Sequence, residues 1–127
     1  MVDTHACVFL LAAPRKLGTS ARRALERVQS GHDEAWVPAA VAAELVLLHE
    51  LGRVRIGLPQ LRETFDAIAG LRFLPLDLHQ LDQFVSLTAI RDPFDRLIIS
   101  AARSLRAELI SRDEALGESG LVRIVWS

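Results

Sequence analysis

The chain has 127 residues and a formal net charge of −1, with 15 basic residues (Lys and Arg) against 16 acidic ones (Asp and Glu). This length fits one domain over residues 1–127, and a hydrophobic content of 50% supplies a core. Balanced charge excludes a globally basic nucleic-acid-binding surface, so any such contact needs a local arginine patch. A single cysteine, Cys7, excludes an internal disulfide and a cysteine-based zinc site, and fits a reducing, cytoplasmic compartment. No apolar run is long enough to span a membrane.

Apolar periodicity and turn residues predict strands and helices that alternate along the chain. In chain order we expect a strand ending at Asp3, a helix over 4–13, a helix capped by Thr19 or Ser20 and ending near 29, a strand over 35–37, a helix started by Pro38 and ending at 51, a helix over 59–69, a strand over 72–76, a helix over 78–88, a helix over 93–105, a strand over 108–111, a short helix over 114–116 and a strand over 122–126. This alternation is typical of a parallel sheet covered by helices. Functional residues of such folds gather at the carboxyl ends of the strands.

Asp95 lies on a helix face that is otherwise apolar. In a helix capped by Asp92 and started by Pro93, Asp95 shares one side with the apolar positions 98, 99 and 102. A carboxylate placed there loses hydration, which is unfavourable unless a metal ion or a buried arginine compensates it. Asp95 also has a structural interpretation as the third-position acid of a capping box, which leaves its apolar neighbours unexplained. Asp92 is assigned to helix capping.

Three further acids stand in comparable places. Glu44 lies on an apolar helix face, although a glutamate at a boundary can also extend into water. Asp3 ends one predicted strand and Asp113 follows another, and a turn or cap role is the alternative for each. Acids gathered at one edge of a sheet repel one another unless a cation is present, and Mg²⁺ or Mn²⁺ prefers oxygen ligands. Phosphodiester hydrolysis assisted by a metal ion is the chemistry that this set indicates.

The chain resembles the PIN domain family, and within it the VapC-type toxins of bacterial toxin–antitoxin pairs. The resemblance covers nearly all of the sequence. It rests on Val2-Asp3-Thr4-His5, Glu44 followed by Gly52-Arg53-Val54, the run from Asp92 to Ile99, the run from Leu109 to Asp113, and the closing stretch from Val122 to Trp126.

The resemblance implies an α/β/α sandwich with a central parallel sheet of four or five short strands, and a Mg²⁺- or Mn²⁺-dependent endoribonuclease. It implies catalysis by Asp3, Glu44, Asp95 and Asp113, with Asp3, Asp95 and Asp113 as metal ligands and a metal-bound water attacking the phosphodiester. Thr4 matches a position where a hydroxyl supports the site, and it is assigned with the substrate-binding residues. The resemblance also implies an RNA substrate, a homodimer and a VapB-type antitoxin whose tail enters the acidic groove.

Three arginines flank the acids, namely Arg91, Arg96 and Arg112. They predict contact with RNA phosphates, with Arg96 and Arg112 as the substrate-binding candidates. The alternative is a salt bridge to a neighbouring acid.

Two other functions compete with the nuclease. The first is a catalytically weak RNA- or partner-binding module in which the acids serve as helix caps. The second is a phosphoryl-transfer enzyme of the haloacid dehalogenase or receiver type. The latter is disfavoured because position 5 is His rather than a second Asp, and because Lys16 is the only lysine.

Overall fold

The computed structural model describes residues 1–127, in which seven α-helices and four short β-strands alternate. In chain order these are α1 (Thr4–Ala12), α2 (Thr19–Gln29), β1 (Ala35–Pro38), α3 (Ala39–Glu50), α4 (Leu58–Ala67), β2 (Leu71–Leu74), α5 (Leu78–Ser86), α6 (Pro93–Ser104), β3 (Leu109–Ile110), α7 (Glu114–Glu118) and β4 (Ile124–Val125), with a 3₁₀ turn at Pro14–Lys16. None of these helices combines the length and the apolar character that crossing a membrane requires.

The N-terminal residues connect two pairs of parallel strands. β1 pairs with β2, and β3 pairs with β4. Between the pairs, the Val2 N–H donates to the Trp36 carbonyl at 2.9 Å, and the Ile110 N–H donates to the Met1 carbonyl at 2.8 Å. The Asp3 N–H then donates to the Ile110 carbonyl at 3.1 Å. The resulting order is β2, β1, residues 1–3, β3 and β4, which confirms the predicted mixed α/β fold with parallel strands.

All strands except β1 are shorter than the sequence pattern predicts. The strand expected to end at Asp3 is reduced to one parallel bridge, between Val2 and Ile110. β2 ends at Leu74, before Pro75, whose missing N–H cannot extend the ladder. Pro38 closes β1 and caps α3, so it precedes that helix rather than starting it.

The start of α2 corrects another expectation. Thr19 and Ser20 were expected to cap this helix, but Gly18 holds the cap position and no side chain bonds there. The Trp126 carbonyl accepts the Ala21 N–H at 2.9 Å, so the residue that follows β4 satisfies this helix end. Any Cβ at Gly18 would clash with the Trp126 backbone, which explains the glycine.

One hydrophobic core holds these elements together. It contains 22 buried residues drawn from positions between Met1 and Ile110. On α6, Ile98, Ile99 and Ala102 are buried as the sequence pattern predicts. Asp95 lies on the same side of α6, so the core carries this carboxylate to the carboxyl edge of the strands.

Candidate active site

The four predicted acids line one cavity of about 640 Å³. Asp3 follows the N-terminal bridge, Glu44 lies on α3, Asp95 lies on α6 and Asp113 follows β3. The fold therefore brings together acids that are separated by up to 110 positions, which is Asp113 minus Asp3 in the numbering.

Asp3 is the most deeply buried of these acids, with 8% of the residue exposed. Its Oδ1 accepts the Ala6 N–H at 2.9 Å, so it caps α1. Burial raises its pKa, while hydrogen bonds from the Ser111 side chain and the Ala6 backbone oppose that shift. The nearby Asp113 carboxylate raises the pKa further. A buried carboxylate with a raised pKa is one whose ionised form would gain from a cation.

Asp95 lies at the electrostatic centre of the cluster. The pKa of this half-buried carboxyl is raised to about 6, and burial is the largest cause. Repulsion from Asp92, Glu44, Asp113 and Asp3 adds to the shift, in that order. Each of the other three predicted catalytic acids therefore acts on Asp95, as expected for carboxylates that share one site.

Thr4 positions Glu44. The Thr4 hydroxyl is buried with its residue and donates a short hydrogen bond to Oε1 of Glu44. This bond holds an acid of α3 beside the start of α1. Thr4 therefore acts on the site indirectly, by positioning the Glu44 carboxylate.

Asp113 combines a cap with a place on the cavity wall. Its Oδ1 accepts the N–H groups of Ala115 at 3.0 Å and Leu116 at 3.4 Å, so it caps α7. Its own N–H donates to Oγ of the buried Ser111 at 3.1 Å. Because the Ser111 side chain also lowers the pKa of Asp3, this one residue acts on two of the four acids. Sequence reasoning missed Ser111, although a serine between an apolar strand and an acid was a visible signal.

Asp92 caps α6 and also lines the cavity. Its Oδ1 accepts the Asp95 N–H at 3.0 Å. The Asp95 carboxylate returns no hydrogen bond to Asp92, so the reciprocal capping box is not formed. The structural interpretation of Asp95 therefore lacks its defining contact.

The donor atoms suit a hard divalent cation, but the acids are not drawn together around one point. Carboxylate oxygens are the preferred ligands of Mg²⁺ and Mn²⁺. Glu44 and Asp113 each use one oxygen in the bonds above. No group of three or more His, Cys, Asp or Glu side chains is arranged closely enough to hold a metal ion in this conformation. The carboxylate oxygens therefore suit such an ion, and binding it would require the side chains of these acids to move closer together.

Arg96 does not line the cavity, contrary to the prediction that it binds substrate. Its Nε and Nη2 atoms donate to the Phe84 carbonyl at 3.0 and 2.7 Å. Its guanidinium also lies 3.9 Å from the centroid of the Phe84 ring. The salt-bridge alternative is wrong for this residue, because its planar fork fastens α5 to α6 and forms no salt bridge. Substrate binding by Arg96 stays a prediction, which its place outside the cavity wall does not support.

Arg112 does lie on the cavity wall, together with His5 and Glu114. Arg112 is exposed, and its guanidinium carbon lies 5.2 Å from the Phe9 ring centroid. His5 is an exposed wall residue. Glu114, in the first turn of α7, is exposed and also lines the cavity.

A comparison with protein-family models now identifies the chain. The model described as "PIN domain" matches residues 1–119. The chain belongs to the PIN domain family. The resemblance predicted from the sequence motifs is thereby confirmed.

Solved structures share the fold of this PIN domain. VapBC2 from Rickettsia felis, solved bound to a DNA fragment from its promoter, matches with a TM-score of 0.73 and 16% identity, over 100% of this chain and 98% of that one. A toxin–antitoxin complex from Klebsiella pneumoniae matches with a TM-score of 0.66 and 20% identity, over 98% and 93% of the two chains. No curated protein matches this PIN domain. At these identities the structural matches establish the fold.

Proposed function

We propose that this PIN domain, as a single unit over residues 1–127, is a Mg²⁺- or Mn²⁺-dependent endoribonuclease and the toxin of a type II VapBC pair. One observation carries the proposal: Asp3, Glu44, Asp95 and Asp113 line one cavity, and the other three all raise the pKa of Asp95. Such an arrangement is unfavourable without a cation, and strained electrostatics of this kind are typical of functional sites.

The wall residues divide naturally into roles. Asp3, Asp95 and Asp113 would hold the cation. When bound, a divalent cation makes coordinated water more acidic and stabilises the charge that develops on the phosphate. Glu44, held by Thr4, is the acid placed to orient the attacking water and accept its proton. Arg112 is the wall residue that can bind a phosphate oxygen of RNA.

The proposal includes a VapB-type antitoxin and a homodimer. Both solved relatives come from toxin–antitoxin systems, which supports an antitoxin partner. An Arg or Lys from that partner would fit a cavity whose acids have unneutralised charge. Copurification with the product of a neighbouring gene, and sedimentation of the isolated chain, test these two assemblies separately.

A catalytically weak RNA- or partner-binding module is the second candidate. Asp3, Asp92 and Asp113 each cap a helix, so each has a structural use. The absence of a closely arranged metal group in this conformation also favours it.

RNA cleavage separates the two candidates. Structured RNA is incubated with the protein in Mn²⁺, with and without EDTA, and with Asp95→Asn. The matched control is Asp66→Asn, which removes an exposed carboxylate of α4 outside the cavity. The nuclease predicts cleavage by the wild type and by Asp66→Asn, abolished by EDTA and by Asp95→Asn. Cleavage that is absent throughout, or insensitive to both changes, rejects the nuclease.

A further inference from the structure

A second cavity, of about 670 Å³, adjoins the acidic one and carries the opposite charge. His5 and Arg112 line both cavities. Lys16 and Arg53 complete the polar wall of the second cavity, and no Asp or Glu lines it. We name it the basic groove, defined by His5, Lys16, Arg53 and Arg112.

The cations of the basic groove have no acidic partners. Lys16 Nζ lies 5.7 Å, and the Arg112 guanidinium carbon 5.2 Å, from the centroid of the Phe9 ring. Phe9 is 9% exposed, so its ring is a packed surface that keeps two cations on one side of the groove. The salt bridges of the chain all lie elsewhere, at Arg27–Asp33, Arg72–Glu34 and Arg123–Glu108. The groove therefore presents unneutralised positive charge in a chain whose net charge is −1.

The charges around the acidic cavity give a polyanion one favourable exit. Asp92 and Glu114 lie on its wall, and both are exposed acids that repel a phosphate backbone. His5 and Arg112 are the wall residues able to carry positive charge, and both open onto the basic groove. A strand with one phosphate at the acids is therefore attracted towards the groove.

We infer that the basic groove binds the phosphodiester backbone of the RNA strand adjacent to the scissile phosphate. Arg112 contacts the phosphate at the boundary of the two cavities, and Lys16 and Arg53 contact phosphates further along. Such contacts fix the register of the strand without reading its bases. The inference rests on the proposed nuclease function, because that function places the scissile phosphate at the acids.

Salt dependence of RNA binding tests this inference without cleavage. A labelled single-stranded RNA is titrated in EDTA at several salt concentrations, and binding is followed by fluorescence anisotropy. The slope of log affinity against log salt is negative, and each lost phosphate contact makes it shallower by about 0.7 for a single strand. In the double variant Lys16→Gln/Arg53→Gln the slope should therefore be shallower by about 1.4. The control Arg23→Gln/Arg62→Gln removes the same charge from exposed positions outside both cavities and should leave the slope at the wild-type value.

Three results would overturn the inference. They are an unchanged slope in the groove variant, an equal fall in the control, and no RNA binding by the wild type at low salt. An unchanged slope would indicate that the groove binds an acidic protein segment instead of RNA. Failure of the groove and failure of the nuclease are distinguishable. If the groove variant has a shallower slope but the wild type never cleaves RNA, the groove is supported and the nuclease is rejected. If the wild type cleaves RNA but the slope of the groove variant is unchanged, the nuclease is supported and the groove is rejected.

Discussion

Replacing Asp95 with Asn should stabilise the metal-free protein at neutral pH. The carboxyl has a folded-state pKa of about 6 against an ordinary value of 3.8, because burial and the surrounding acids oppose its ionisation. At about 1.4 kcal/mol per tenfold change, this difference corresponds to roughly 3 kcal/mol. Solvent screening of a half-buried group halves that figure approximately, which leaves about 1.5 kcal/mol in the free energy of unfolding. The melting temperature should rise by roughly 5 °C in a chain of this size.

The stabilisation by Asp95→Asn has a defined pH window. Because the folded pKa lies above the unfolded one, the penalty is absent below 3.8, grows as the pH rises, and is complete above about 6. Urea unfolding in EDTA at about pH 7.5 should show the gain, and unfolding at about pH 4 should show most of it lost. Asp66→Asn is the control and should change little at either pH. An Asp95→Asn protein no more stable than wild type at the higher pH would refute the proposed repulsion among the acids.

Substitutions at three further positions separate the roles of neighbouring residues. Thr4→Val removes the hydrogen-bond donor to Glu44 at nearly constant side-chain volume. We expect RNA cleavage to fall about tenfold while the melting temperature is almost unchanged. A fall in both cleavage and melting temperature would indicate that Thr4 is merely structural. Arg96→Lys loses the two-bonded contact to the Phe84 carbonyl and should cost about 1–2 kcal/mol in urea unfolding, whereas a loss of RNA affinity at full stability would restore Arg96 to the substrate site. Asp113→Asn keeps a cap but removes the charge, so α7 and stability should persist while cleavage is lost; Asp113→Ala should also lose about 1 kcal/mol. Equal activity in the two Asp113 variants and the wild type would exclude this acid from catalysis.

The position of Asp95 was predictable because a helix obeys a simple periodicity. Positions 98, 99 and 102 of α6 are apolar and buried, so the odd carboxylate on that side pointed to a site. The capping signal at Asp92 and Pro93 fixed where the helix starts. The convergence of Asp3 and Asp113 followed from a general property of parallel sheets, whose carboxyl ends form one edge.

The fate of each arginine was not predictable in this way. Arg96 follows Asp95 directly, but its guanidinium reaches the Phe84 carbonyl, twelve positions earlier in the chain. Nothing in the local pattern specifies that a carbonyl near the end of α5 lies within reach. Long flexible side chains have many possible partners, and the packing of α5 against α6 decides among them. Arg112, next to Asp113, is kept near the cavity by the Phe9 ring, which is much farther away in the sequence than Phe84 is from Arg96.

Calorimetric titration with Mn²⁺ tests the central claim that Asp3, Asp95 and Asp113 form a divalent cation site in the acidic cavity. At about pH 7.5 the wild type and Asp66→Asn should bind the ion with a saturable heat, and Asp95→Asn should bind it at least tenfold more weakly. Saturable binding of equal strength in Asp95→Asn, or no saturable binding by the wild type, would contradict the claim.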